Sequence, residues 1–340
     1  MVVVMLLGAT EAEIELVCET IRKHDLEPLM MPGNVMAIGI PSSIPTDLRD
    51  PLQQRLEILP GVNKVTQVSR SYKLASREFH PHDTIVNVGG LQIGGNSVTV
   101  MAGPCSIESY EQLRASAVLI KASGAHVLRG GAFKPRTSPY AFQGLAEEGL
   151  KIMEAVGKEI GVRTISEVMS PDMVATVAEH VDILQIGARS MQNFPLLIEV
   201  GKSGHPAMLK RGPSATIDEF LLAAEYLLAH GNSNVMLCER GVHPLDRSYT
   251  RNTLDIAAIP VLKQYSHLPV IVDPSHGTVV ARYVPAMANA SIAAGADGLM
   301  IEVHPNPREA LSDAAQTLSP QVFAEMMEKL QPLIRAVGRA

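Results

Sequence analysis

One stretch of this 340-residue sequence, LRGGAFKPRTSPYAFQGL at 128–145, concentrates the means to hold an anion. Arg129, Lys134 and Arg136 fall within eight residues, among glycines, prolines and small hydroxyls. An arginine fork grips carboxylate or phosphate through two donors, and lysine adds a mobile point charge. Thr137 and Ser138 bring further donors for phosphate oxygens. Gly130 and Gly131 let the backbone approach a ligand, while Pro135 and Pro139 stiffen the loop. A solvated basic loop shares this composition. The rest of the chain separates the two.

A second group of side chains carries different chemistry. Cys105, His276 and Glu302 offer thiolate, imidazole and carboxylate, a mixed soft and hard set suited to a divalent transition metal such as manganese, iron, cobalt or zinc. Asp313 would complete four protein ligands. The spacing has no compact metal signature. A lone cysteine is more often a small core residue, as Cys18 and Cys238 read, and a lone histidine is often just hydrogen-bonded. Spacing alone therefore leaves both accounts open.

Composition narrows the partners. An apolar share of 46% and ordinary charge content describe a globular protein with a sizeable core. The formal net charge of -6 disfavours a general nucleic-acid binder, so a basic cluster must be local. Three widely spaced cysteines without a CxxC pair fit a reducing compartment. The opening run MVVVMLLG is too short to span a membrane and lacks a basic flank, so it reads as a buried strand. Cytoplasm is the expected location, with no membrane partner.

The elements that must position these groups follow from periodicity. Residues 2–7 form a β-branched run, Thr10 caps a helical pattern to about His24, and two short apolar runs flank a turn at 32–34. A helix near 47–58 and the strand VNKVTQV complete βαββαβ over residues 1–70, the ferredoxin-like pattern. Residues 71–97 read as a connector whose GGLQIGG segment is a β-hairpin; it lacks the GK[ST] of a phosphate loop. From 98 to 340, SVTVMAG, AHVLRG, VRTISE, VDILQIG, HPAMLK, SNVMLCE, LPVIVD and ADGLMIE alternate with helical patterns. Eight apolar strands in about 240 residues match a (β/α)8 TIM barrel; a doubly wound sheet is the runner-up, without its GxGxxG turn.

In such a barrel, chemistry sits at the C-terminal ends of the strands. Reading those ends in order gives Cys105 and Ser106, Arg129, Ser166 and Glu167, Ala188 and Arg189, Lys210 and Arg211, Glu239 and Arg240, Asp273 to His276, and Glu302 with His304. Seven cations (Arg129, Lys134, Arg136, Arg189, Lys210, Arg211, Arg240) are thereby expected at one mouth, although Arg211 above all could be solvated and idle. Crowding like charges costs several kcal/mol unless anions pair with them. A substrate with several negative charges is the natural partner.

GPCSIES, LRGGAFKPRTSPYAFQGL, SEVM, IGARSMQN, LKRG, ERG, DPSHG and IEVHP, in this order, resemble 3-deoxy-D-arabino-heptulosonate 7-phosphate (DAHP) synthase. More narrowly, the match is to the short bacterial and archaeal group with an N-terminal ferredoxin-like domain; it covers about residues 71–340 in motifs and the first 70 in pattern. The resemblance implies a transferase of the shikimate pathway, condensing phosphoenolpyruvate with erythrose 4-phosphate and releasing phosphate. It implies Cys105, His276, Glu302 and Asp313 as metal ligands, and Arg129, Lys134, Arg189, Lys210 and Arg240, with backbone help near Glu167 and Ala188, as the phosphoenolpyruvate site. Pro135, Arg136, Thr137 and Ser138 would hold erythrose 4-phosphate, and Lys134, between the two anion sites, would donate a proton. It further implies a homotetramer and a small domain that takes tyrosine or phenylalanine as feedback inhibitor. SDAAQTL departs from the family in lacking glycine after the aspartate, which makes the Asp313 loop the weakest part of the match. Two rivals stand beside this. One is the sister enzyme making 3-deoxy-octulosonate 8-phosphate from arabinose 5-phosphate, which typically carries KANR where this chain has KPRTS. The other is a non-catalytic phosphoenolpyruvate sensor.

Overall fold

Strict alternation in the first strand sets the N-terminal architecture. β1 (Val2–Met5) sends Val3 and Met5 into one apolar core and Val2 and Val4 into another. The structure is a computed structural model and describes residues 1–340 apart from 32–34, 68–70, 135–137 and 139. The turn expected at 32–34 therefore lies outside the described residues. α1 (Glu11–Arg22) starts at Thr10, where the Thr10 and Glu13 side chains satisfy each other's backbone N–H groups in a capping box. β2 (Leu29–Met31), β3 (Ala37–Gly39), α2 (Thr46–Glu57) and β4 (Val62–Thr66) follow. The sheet order is β2-β3-β1-β4 and every pairing is antiparallel.

Val17, Cys18 and Ile21 of α1 and Leu52 and Leu56 of α2 cover the Val3 face. Phe79 and Leu74 cover the other. A Cβ at Gly39 would fall 1.7 Å from the Phe79 ring, so glycine is what lets that ring lie on the strand. Residues 71–82 are thus part of the first compact unit, which spans Met1–His82 and takes in Tyr265–His267 through an antiparallel bridge between Ser76 and Ser266.

The second unit comprises Asp83–Gln264 and Leu268–Ala340. It opens with a hairpin, β5 (Val86–Val88) and β6 (Leu91–Ile93), turned by Gly89 and Gly90 at φ 53° and 93°. Strand and helix then alternate: β7 (Thr99–Gly103), α3 (Tyr110–Ala122), β8 (Val127–Arg129), α4 (Ala146–Ile160), β9 (Arg163–Val168), α5 (Val174–His180), β10 (Ile183–Ile186) and α6 (Phe194–Ser203). The series continues with β11 (Ala207–Lys210), α7 (Ile217–Ala229), β12 (Val235–Glu239), α8 (Ala258–Tyr265), β13 (Val270–Val272), α9 (Pro274–Thr278), α10 (Val284–Ala293), β14 (Gly298–Glu302) and α11 (Pro320–Ala336).

β7 to β14 pair in parallel and close on themselves through β14 and β7, giving a (β/α)8 barrel. Helices on the outside and packed side chains on the inside explain why the strands are apolar on both faces. Met101, Ile165, Met208, Ile271 and Met300 fill the interior, each contributing about 1.5–3 kcal/mol by burial. Val86, Val88 and Ile93 of the hairpin join this interior cluster, and the Gly89 carbonyl accepts from the guanidinium of Arg163, the first residue of β9. The hairpin therefore plugs the end where the strands begin. The opposite end is left open for chemistry. Among the described residues, no helix is long and apolar enough to cross a membrane.

Candidate active site

The strand ends surround a cavity of about 450 Å³ lined by Arg129, Lys134, Lys210 and Arg240, with Arg189, Glu167 and Ala188 beside them. His276 and Asp313 line it too, so both expected chemistries meet in one space. A larger hollow of about 690 Å³ lies near the strand starts, but most of its charged groups pair with one another, as in Glu154 with His180 at 2.6 Å and Arg163 with Asp182 at 3.3 Å. Size and chemistry disagree here, and convergent chemistry identifies the site.

Cys105 follows β7, Glu302 ends β14, and Asp313 stands in the loop before α11. Their candidate ligand atoms all lie within 4.8 Å of one another. Cys105 Sγ donates to Asp313 Oδ2 at 2.9 Å, and His276 Nε2 stands 3.4 Å from Glu302 Oε1. His276 thus approaches the cluster from the Glu302 side. Its Nδ1 lies 2.7 Å from Asp273 Oδ2, so Asp273 fixes the ring's orientation; with the proton on Nδ1, a neutral ring would present Nε2 to a cation at the cluster.

Burial, reinforced by the Glu302 charge, pushes the Cys105 thiol up to about 12 against the pull of Lys134 and Arg129. The free site therefore holds a neutral thiol, and a metal would displace its proton. Burial opposes ionisation of Glu302 as well, yet His276 and Arg129 hold its carboxyl below the usual range. For Asp273, His276 and Lys210 overcome burial more strongly and leave it well below. A buried thiol, two carboxylates and an oriented imidazole fit a divalent cation by donor type.

Asp313 has left-handed backbone at φ 52°, uncommon for a residue with a side chain. The turn is tied down from several sides. Ser106 Oγ and Ser312 Oγ are 2.7 Å apart, the Leu311 N–H donates to Glu108 Oε1 at 2.9 Å, and Thr317 Oγ1 donates to the Asp313 carbonyl at 2.9 Å. Ala314 begins a 3₁₀ turn at ordinary φ, so glycine is not needed after the aspartate. Alanine in SDAAQTL is therefore compatible with this turn.

The cations are held from behind by the same acids. Arg129 Nη1 donates to Glu302 Oε1 at 2.6 Å with both side chains buried. Although burial opposes its charge, Glu302, Cys105 and Asp273 raise the Arg129 guanidinium above its ordinary value. Among the described residues its Nε finds no hydrogen-bond partner, which leaves a buried donor for an incoming anion. Lys134 Nζ donates to the Cys105 carbonyl and meets Cys105 Sγ, each at 3.0 Å. Lys210 Nζ donates to Asp273 Oδ2 at 2.6 Å. Among the described residues no carboxylate lies within ion-pair distance of Arg240, and burial lowers its pKa. Gln185 Nε2 donates to Glu167 Oε2 at 3.2 Å, and a Cβ at Gly187 would fall 2.1 Å from Glu167 Oε1.

Several strand-end residues do not line the cavity, among them Ser106, Ser166, Arg211, Glu239 and His304. Arg211 is neither solvated nor in the cavity: it is buried, with Nη1 at 2.9 Å from both Glu239 Oε2 and Asp255 Oδ2. His304 is buried beside Glu108, with Nε2 3.4 Å from Oε2, and does not line the cavity. Pro135, Arg136, Thr137 and Pro139 lie outside the described residues; Ser138 is exposed and does not line the cavity. Other lining residues were not legible from strand ends. Arg251, Asn252 and His243 come from the loop between β12 and α8, while Gln316 donates to Glu302 Oε2 at 2.6 Å. Asp273 was visible at the end of β13, and its spacing from His276 in DPSH was the available sign of its role.

Residues 77–336 match the model of the DAHP synthetase I family. The chain is 43% identical over 338 residues to the phospho-2-dehydro-3-deoxyheptonate aldolase of Thermotoga maritima, covering 99% of each. A crystal structure of phospho-2-dehydro-3-deoxyheptonate aldolase (DAHP synthase) from that organism superposes with a TM-score of 0.79 at 42% identity, over 99% of this chain and 98% of that one. A 2-dehydro-3-deoxyphosphooctonate aldolase from Syntrophobacter fumaroxidans is 31% identical over 266 residues, covering 73% of this chain and 91% of that protein.

Proposed function

The chain belongs to the DAHP synthetase I family, and on that premise we propose that its barrel mouth condenses phosphoenolpyruvate with erythrose 4-phosphate, the first step of the shikimate pathway. The observation that carries the proposal is Lys134 Nζ at 3.0 Å from Cys105 Sγ, where the anion-holding ring meets the metal-ligating cluster. Arg129, Lys134, Arg189, Lys210 and Arg240 bind phosphoenolpyruvate. Glu167 and Ala188 border that pocket. Pro135, Arg136, Thr137 and Ser138 take erythrose 4-phosphate, a role assigned from their sequence. Cys105, His276, Glu302 and Asp313 hold a divalent metal: manganese, iron, cobalt or zinc suit a set mixing sulfur, nitrogen and oxygen.

When bound, that metal supplies Lewis acidity to the aldehyde of the sugar phosphate. The cation ring fixes two mutually repelling anions so that C3 of phosphoenolpyruvate faces the aldehyde carbon. Its enol electron pair forms the new C–C bond, and the aldehyde oxygen takes a proton from Lys134. Water adds at C2 and one of its protons restores Lys134; the C2–O bond to phosphate then breaks, the remaining hydroxyl proton leaving with the phosphate, to give the ketone. Steady-state rates with the two aldoses test the substrate assignment: erythrose 4-phosphate is expected to be turned over well ahead of arabinose 5-phosphate. The reverse order would move the chain to the octulosonate reaction.

Metal loading has its own expected signature. Because burial pushes the Cys105 thiol up to about 12, binding a divalent cation near neutral pH should release about one proton per site. Calorimetry in buffers of different ionisation enthalpy measures it. Cys105→Ser should lose most of the release; release unchanged in that variant would remove the thiol from the ligand set.

The smaller unit is assigned as a ferredoxin-like module on its βαββαβ order and its β2-β3-β1-β4 antiparallel sheet. Its proposed role is regulatory, with tyrosine or phenylalanine as inhibitor, in a cytoplasmic homotetramer. Inhibition by either amino acid, lost when residues 1–70 are removed, is the expected result; equal inhibition with and without them would exclude the role. Sedimentation tests the tetramer.

A further inference from the structure

Asp273 lies between the two halves of the site and contacts both. It follows β13 and caps α9, and none of its surface is exposed. Its Oδ1 accepts from the His276 backbone N–H at 3.0 Å. Its Oδ2 accepts twice, from His276 Nδ1 at 2.7 Å and from Lys210 Nζ at 2.6 Å. The backbone around it is fixed: the Asp273 N–H donates to the Glu239 carbonyl at 2.8 Å, and Asn252 Nδ2 donates to the His276 carbonyl at 2.8 Å. Ser275 Oγ accepts from the Glu302 N–H at 3.0 Å, tying α9 to β14.

We infer that Asp273 is a positioning residue whose one oxygen, Oδ2, holds both the metal-ligating imidazole of His276 and the substrate-binding ammonium of Lys210, so that each site responds to the other. The inference rests on the ligand and substrate assignments proposed above. Its physical basis is competition. Two donors share the charge of one oxygen, and drawing either away strengthens the bond to the other. When an anionic substrate draws on Lys210, Asp273 is left to polarise Nδ1–H of His276, and Nε2 becomes a better donor to metal. Linkage makes the effect reciprocal, so metal should tighten phosphoenolpyruvate binding. A plain buried ion pair would stabilise the fold without this sign.

The test measures Mn²⁺ affinity, by competition with a chromophoric chelator, for wild type and three variants of the full chain. Asp273→Asn should bind about ten- to hundredfold more weakly. Lys210→Met should bind several-fold more tightly, although Lys210 is not assigned as a metal ligand. Arg189→Met removes a mouth charge of the same sign with no assigned contact to Asp273, and sets the baseline for simple electrostatics. Folded Asp273→Asn with wild-type affinity, or Lys210→Met indistinguishable from Arg189→Met, overturns the inference. Should Asp273→Asn fail to fold, the second comparison decides alone. A wild-type protein that binds no Mn²⁺, Co²⁺ or Zn²⁺ fails differently: it overturns the ligand assignment itself.

Discussion

Cys105→Ala is expected to lose metal-dependent condensation, with kcat/KM down by more than the roughly hundredfold that loss of a mere supporting residue costs. The fold should survive. Cys105 is 3% exposed, and removing one sulfur from a polar site leaves a small space with few apolar contacts to lose. The activity depends on more than one lost ligand. Sγ is also the atom 2.9 Å from Asp313 Oδ2 and 3.0 Å from Lys134 Nζ, so the substitution loosens the left-handed Asp313 turn and removes a contact of the proposed proton donor. Metal content after dialysis, circular dichroism and phosphate release together check this. A folded alanine variant that retains metal and most of its kcat would place the metal elsewhere.

Arg129→Met should have the largest effect on stability. The Arg129–Glu302 pair at 2.6 Å is fully inside the protein, and removing one member of such a pair leaves an uncompensated buried charge, at a cost of about 3–5 kcal/mol. Glu302 keeps its bond from Gln316 Nε2 at 2.6 Å and the neighbourhood of His276, which limits the loss to the lower part of that range. The metal dependence is diagnostic. Bound cation replaces the missing charge beside Glu302, so the difference in Tm between wild type and variant should shrink when Mn²⁺ is added. Phosphoenolpyruvate affinity should fall as well, since one charged hydrogen bond is worth about 1.5–3 kcal/mol. Equal Tm losses with and without metal would separate Glu302 from the cation site.

The barrel was legible because its strands are buried on both faces, which gives eight apolar runs such as VDILQIG and SNVMLCE that only a covered parallel sheet needs. Strand ends then located Cys105, Arg129, Lys210, Arg240, His276 and Glu302, because the fold fixes which end carries chemistry. What strand ends do not settle is direction. Lys210 and Arg211 are neighbours, yet Lys210 reaches Asp273 in the mouth while Arg211 turns to Glu239 and Asp255. Alternation along the strand held the answer: Met208 fills the barrel interior, so Lys210 two residues on shares its face and Arg211 does not. Loop residues were harder. Arg251 and Gln316 line the cavity from segments without a repeating pattern. The covering of the small sheet by Phe79 was hidden for the same reason, since tertiary contacts with Val2, Ala37 and Gly39 explain it.

The shared use of acids ties these observations together. Glu302 serves Arg129 and faces the metal cluster, while Asp273 serves Lys210 and His276. In each case one carboxylate joins the proposed anion-binding ring to the proposed metal-ligating set. On those assignments, substrate charge and metal charge would be balanced through the same buried groups.

Phosphate release by the metal-reconstituted protein tests this account most directly. With phosphoenolpyruvate and erythrose 4-phosphate together, release should be steady and matched one-for-one by a seven-carbon 3-deoxy keto acid phosphate. It should stop with a chelator and return with added divalent metal. Release from phosphoenolpyruvate alone, or a rate indifferent to the chelator, would contradict it.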